Sequence, residues 1–92
     1  VKPIRWSAEK SLSLKAERDV SFEEVVSAIS QGGLLSVMDH PNRAKYGHQK
    51  MLVVRIRDYA YLVPYVESEN GIFLKSIMPS RKATRAFLSG DK

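Results

Sequence analysis

Apolar residues recur at helical spacing in the first third of the chain and at strand spacing afterwards. Leu12 and Ala16 follow Ala8 at four-residue intervals, with Ser7 in front as an N-cap, which predicts a helix from Ala8 to about Arg18. Asp19-Val20-Ser21 breaks it. Phe22, Val25, Val26 and Ile29 then stand at i, i+3, i+4 and i+7 and give a second helix one apolar face. Its start carries a capping box, Ser21-Phe22-Glu23-Glu24. The serine hydroxyl serves the N3 amide and the glutamate reaches back to the cap amide. Gly32-Gly33 ends this helix.

Strand patterns follow. Leu34 to Met38 is apolar-rich, and a polar loop from Asp39 to Gln49 carries Pro41 and Gly47. Met51 to Arg57 is a strand of β-branched character, Asp58 lies in a tight turn, and Tyr59 to Val66 returns antiparallel. Glu69-Asn70-Gly71 marks a hairpin, and Ile72 to Met78 is the last strand. Pro79 stops it and Ser80 caps a short basic helix from Arg81 to about Leu88. Pro3 to Trp6 adds an edge strand at the front. The expected fold is a single α+β domain spanning residues 1–92. Its two N-terminal helices pack on one face of an antiparallel sheet, in the order β-α-α-β-β-β-β-α.

Alternation assigns faces. Leu52, Val54 and Ile56 form the core side, covered by Leu12, Val25, Val26 and Ile29, while Met51, Val53, Arg55 and Arg57 look the other way. Tyr61, Val63 and Tyr65 share one face of the next strand, opposite Leu62, Pro64 and Val66. In the last strand Phe73, Lys75 and Ile77 oppose Ile72, Leu74 and Met78. If the arginine, tyrosine and lysine faces coincide, the open side of the sheet carries Arg55, Arg57, Tyr61, Tyr65 and Lys75. Stacking surfaces would then lie among phosphate-binding cations.

Charge supports a polyanion as partner. The 92 residues carry 15 Lys plus Arg against 10 Asp plus Glu, a net +5. The distribution is uneven: five basic and six acidic residues up to Asn42 give −1, and ten basic and four acidic ones from Arg43 give +6. A basic field of this kind favours polyanions through counterion release and steering.

Composition removes much other chemistry. There is no cysteine, hence no disulfide, thiolate zinc site or cysteine nucleophile. With tyrosine left out, the longest uninterrupted apolar run is Met51 to Val54, far short of a membrane span, and no charged-then-apolar leader opens the sequence, so a cytoplasmic setting is expected. His40 and His48 have no metal-ligand spacing, and no P-loop, GxGxxG or Gly-x-Ser-x-Gly is present. Neither a metal nor a cofactor is expected. RNA cleavage needs neither. The 2′-hydroxyl attacks the adjacent phosphate, cations stabilise the phosphorane, and an acid protonates the leaving oxygen. Arg55, Arg57, Arg81 and Arg85 suit charge stabilisation, and His48 or a lysine suits proton transfer.

The chain resembles the BrnT-type toxins of bacterial type II toxin–antitoxin modules, which have a RelE-like fold. The likeness rests on Ile4-Arg5-Trp6-Ser7-Ala8-Glu9-Lys10, on Val20-Ser21-Phe22-Glu23-Glu24-Val25, and on Ile77-Met78-Pro79-Ser80-Arg81-Lys82-Ala83-Thr84, which occur in order around the meander. It implies a small metal-independent ribonuclease that arrests translation by cutting RNA, ribosome-associated mRNA included. It also implies a hetero-oligomer with an acidic antitoxin that bears a ribbon-helix-helix domain. Lys10 matches the family's lysine after the tryptophan, Arg81 matches the arginine of the closing segment, and Arg55 or Arg57 serves as the strand arginine. Ser7 stands in place of the usual aspartate, and Glu17-Arg18-Asp19 in place of Lys-His-Gly.

The expected catalytic set is therefore Lys10, His48, Arg55, Arg57 and Arg81, with Lys50, Tyr61, Tyr65, Lys75, Lys82 and Arg85 as RNA contacts. The alternative is a non-catalytic basic module that binds RNA or an acidic antitoxin.

Overall fold

Phe22 and Val25 of the second helix and Leu14 of the first converge on Leu52, Val54, Val63 and Leu74, and this contact organises the molecule. The computed structural model describes residues 3–39, 43–46 and 49–88. Its elements run β1 Ile4–Arg5, α1 Ala8–Arg18, α2 Phe22–Ser30, β2 Leu34–Asp39, α3 Arg43–Tyr46, β3 Gln49–Ile56, β4 Tyr59–Ser68, β5 Gly71–Leu74, β6 Met78–Pro79 and α4 Arg81–Leu88. The expected α+β order holds, with one short helix, α3, inside the segment read as loop. The strands lie in the order β1-β5-β4-β3-β2, with β6 beside β4. All pairings are antiparallel except that of β1 with β5, so the sheet is mixed. Among the described residues no helix is long and apolar enough to cross a membrane.

The capping box forms as its residues require. Ser21 Oγ accepts from the Glu24 amide at 3.3 Å, and Glu24 Oε2 accepts from the Ser21 amide at 3.0 Å. The first helix departs from its reading. Ala8, Leu12 and Ala16 all face solvent, Leu12 with 73% of its surface exposed, and the buried positions are Ser11 and Leu14. Four-residue spacing marked a stripe, but the stripe that docks is the polar–apolar pair beside it. Ser11 Oγ accepts from the Phe22 amide at 3.0 Å and donates to Glu23 Oε1 at 2.7 Å, so the start of α2 turns this face of α1 inward.

Two local features set the faces of the sheet. The first is the turn between β3 and β4. Arg57 and Asp58 have φ of 52° and 63°, the two positive values of a two-residue I′-type hairpin turn. Arg57 is therefore a turn residue, and not the last residue of a strand. The resulting register pairs Val54 with Tyr61, Leu52 with Val63 and Lys50 with Tyr65. Paired residues share a face, so both tyrosines lie on the helix-covered side. The second is a bulge. Between the pairs Tyr65–Leu74 and Leu62–Met78, β4 advances three residues and its partner four. Pro64, which accepts from the Lys75 amide at 2.8 Å but has no N–H to give back, sits at this step. The extra residue turns Ile77 into the core beside Leu74 and sends Met78 to the other side, reversing the alternation expected from the sequence.

That other side is not left open. Ala83 of α4 packs on Val53 and Ala60, with Leu35, Leu62 and Leu88 around them. Thr84 Oγ1 accepts from the Ala60 amide at 2.8 Å and the Ser80 amide donates to the Ala60 carbonyl at 3.0 Å, which fixes the start of α4 to the sheet. The expected Ser80 cap is present, its Oγ accepting from the Ala83 amide at 3.0 Å.

Candidate nucleic-acid interface

The two sides of the sheet differ in charge: the helix side mixes acids with Lys10, Lys15, Arg18, Lys50 and Arg57, and the other side is basic. Glu9, Glu17, Asp19, Glu23 and Glu24 belong to α1, α2 and the turn between them, and Glu67, paired with Ile72, points to the same side. On the opposite side, Arg55 shares a face with Val53 and Ala60. Lys75 follows Phe73 on that face, and Arg5 is in register with Phe73. Arg81, Lys82 and Arg85 stand exposed on α4, which packs there. Six cations thus occupy one side of the sheet. Asp58 at its margin is engaged by Arg55 at 2.6 Å, and Glu69 lies in the β4–β5 turn.

Of the expected site residues, Arg55, Lys75, Arg81, Lys82 and Arg85 share this side. The others do not. Lys10 is exposed on α1 and Lys50 shares the face of Leu52 and Val54, so both lie across the sheet from α4. His48 lies outside the described residues. Tyr61 is half-buried against the helix-side core and meets Tyr59 edge-on at 5.7 Å between centroids. Tyr65 is 6% exposed, and burial, with Glu67 nearby, pushes its hydroxyl pKa up. The Tyr65 ring, packed in the core with Leu52, Val63 and Leu74, has no face left for a base. Tyr61, half-buried, lies on the same helix-covered side, so neither tyrosine shares the face of Arg55 and Lys75 as expected.

Arg57 is committed elsewhere. Its guanidinium donates to Glu24 Oε1 at 2.5 Å and to the Asp19 carbonyl at 2.6 Å. A non-glycine residue at positive φ is disfavoured, and these two bonds hold the turn against α2. Glu24 also accepts from Lys15 at 3.0 Å as well as from Ser21. Desolvation works to raise its pKa, but Lys15, the Ser21 amide and Arg57 together keep it below the usual carboxylate range. Glu24 is the hub of a structural network, and its neighbours form one wall of a groove of about 510 Å³ that also touches Ser27, Gln31 and Gly33. The charged side chains of that groove pair with one another: Glu24 with Arg57 and Arg55 with Asp58.

Two residues of the basic side escaped the sequence reading. Alternation groups Phe73 with Lys75, and that grouping is the available signal. Arg5 carried no signal, because its parallel pairing with β5 joins residues 68 positions apart. The basic side can neutralise phosphates and offers two exposed aromatic rings, Phe73 of β5 and Phe87 of α4. Among the described residues no group of three His, Cys, Asp or Glu side chains could hold a metal. Comparisons with known protein families, with curated proteins and with solved structures find no match, so no relative assigns a role to these residues.

Proposed function

We propose that this chain acts on RNA through the α4 side of its sheet, as the toxin component of a type II toxin–antitoxin module. The observation that carries the reading is the gathering of Arg5, Arg55, Lys75, Arg81, Lys82 and Arg85 on one side while the helical acids lie on the other. Such a surface suits a phosphate backbone, and the same field would receive an acidic antitoxin. In the cleaving form of the proposal the strand's own 2′-hydroxyl is the nucleophile, and Arg55, Arg81 and Arg85 stabilise the charge that develops on the phosphate.

One observation favours the non-catalytic form. The titratable groups on this side are cations that bind phosphate, while Lys10 and Arg57, expected to share in catalysis, lie elsewhere. A single experiment separates the two. Purified protein is incubated with RNA and with DNA in EDTA, beside Arg81→Ala. RNA cut by wild type and spared by the variant, with DNA intact, supports the nuclease. Intact RNA that is nonetheless bound, with a log–log salt slope near the ~4 expected for six contacts to a single strand, supports the binding module. No binding at low salt refutes both.

A further inference from the structure

We infer that Phe73 is a base-stacking platform for single-stranded RNA, flanked by Arg5 and Lys75 as phosphate contacts, an inference that rests on the RNA-directed reading above. Phe22, the aromatic at the centre of the core, is fully buried, and Tyr65 is nearly so; Phe73 keeps 38% of its surface exposed. Of the two exposed phenylalanines, Phe73 and Phe87 of α4, it is Phe73 that the register sets beside Arg5 and Lys75. Its strand neighbours fix where it points. Ile72 and Leu74 join the helix-side core, so Phe73 between them projects to the basic side. There Arg5 stands directly beside it on β1, and Val66 on β4 is its partner on the other flank. Lys75 Nζ sits 5.5 Å from the ring centroid. An exposed aromatic ring with a cation on the neighbouring edge strand and another on its own strand, one face held by the lysine, is the arrangement that accepts an unpaired base by stacking and its adjoining phosphates by charge.

The position of Gly71 supports this placement. A Cβ there would stand 2.4 Å from the Pro3 carbonyl, and glycine at φ 127° lets β1 close on β5, with the Ile72 amide donating to Pro3 at 2.9 Å. That closure brings Arg5 alongside Phe73. Base stacking also selects the strand type. A duplex has its bases already stacked on one another, so Phe73 discriminates single from double strands while the cations do not.

The test uses the full chain with a fluorescein-labelled 12-nucleotide oligouridylate, the same length of duplex RNA, and an oligonucleotide carrying 2-aminopurine. Phe73→Leu keeps an apolar side chain on β5. It should weaken single-strand binding by about 5- to 150-fold with the salt slope unchanged, and leave duplex binding alone. Phe73→Trp should restore affinity, and 2-aminopurine fluorescence should be quenched by wild type and not by Phe73→Leu. Arg5→Ala and Lys75→Ala should each lower the slope by about 0.7. If Phe73→Leu binds as wild type does while Arg81→Ala weakens binding, the RNA-binding side stands and the stacking platform is wrong. Equal losses for single and double strands also overturn it. Should Phe73→Leu fail to fold, absence of quenching by wild type does the same. Absence of any RNA binding by wild type removes the functional reading itself.

Discussion

Ser11 and Leu12 are adjacent on α1, and exchanging their importance is the sharpest consequence of the structure. Ser11 is 3% exposed and Leu12 73%. Truncating Leu12 to alanine removes little buried surface, so the expected change is within about 0.5 kcal/mol. Truncating Ser11 removes a hydroxyl that accepts from the Phe22 amide at 3.0 Å and donates to Glu23 at 2.7 Å. The Phe22 amide is one of the four N–H groups that α2 cannot satisfy internally. Its own cap, Ser21, is occupied with the Glu24 amide. Ser11→Ala therefore leaves a buried donor without a partner, a cost of about 1–3 kcal/mol. For a domain of this size that lowers Tm by on the order of 10 °C. Urea unfolding of wild type, Ser11→Ala and Leu12→Ala, followed by the circular dichroism of the helices, measures it. The Ser11 hydroxyl also lowers the Glu23 pKa, ahead of the Glu23 backbone amide. The part of the loss carried by Glu23 is present above its unfolded pKa and disappears as pH falls through the lower folded value. The gap between wild type and Ser11→Ala should accordingly narrow in acid. A Leu12→Ala variant less stable than Ser11→Ala would refute the packing described for α1.

Glu24→Gln should destabilise the protein at neutral pH by on the order of 1–2 kcal/mol, since it weakens a capping box and two ion pairs that are partly exposed. Because the folded pKa of Glu24 is lowered despite desolvation, its contribution holds above the unfolded value and is lost as pH falls. Wild-type and variant melting temperatures should converge below about pH 4. Gly71→Ala places a Cβ against the Pro3 carbonyl at positive φ, and should cost at least about 1–3 kcal/mol in a denaturant titration. Lys10→Ala, across the sheet from α4, should leave the salt slope of RNA binding unchanged, whereas Arg85→Ala should lower it by about 0.7.

What the residues determined unaided was local. The capping box at Ser21, the apolar period that buries Phe22 and Val25, the β4–β5 hairpin signalled by Glu69-Asn70-Gly71 and the serine cap at Ser80 each depend on groups within a few positions, and all four stand in the structure. The turn itself is Glu69–Asn70, with Gly71 already paired to Ser68 and no positive φ at Asn70. The α+β order and the concentration of positive charge in the second half were legible for the same reason. The faces were not. Strand alternation has a period of two, so a single residue of turn or bulge moves every following side chain to the other side. Placing Arg57 in the turn pairs Tyr61 with Val54, and the step at Pro64 returns Ile77 to the core. The tyrosines thereby leave the basic side, and Phe73 becomes the exposed ring of its strands, as Phe87 is of α4. The docking of α1 was equally non-local. Whether Ser11 or Leu12 goes inward depends on the Phe22 amide eleven residues away, and whether Arg5 reaches Phe73 depends on a parallel pairing across most of the chain. Periodicity and caps fix elements because their partners are near in sequence. Which chemistry shares a surface is decided by register, and register exists only once distant strands have met.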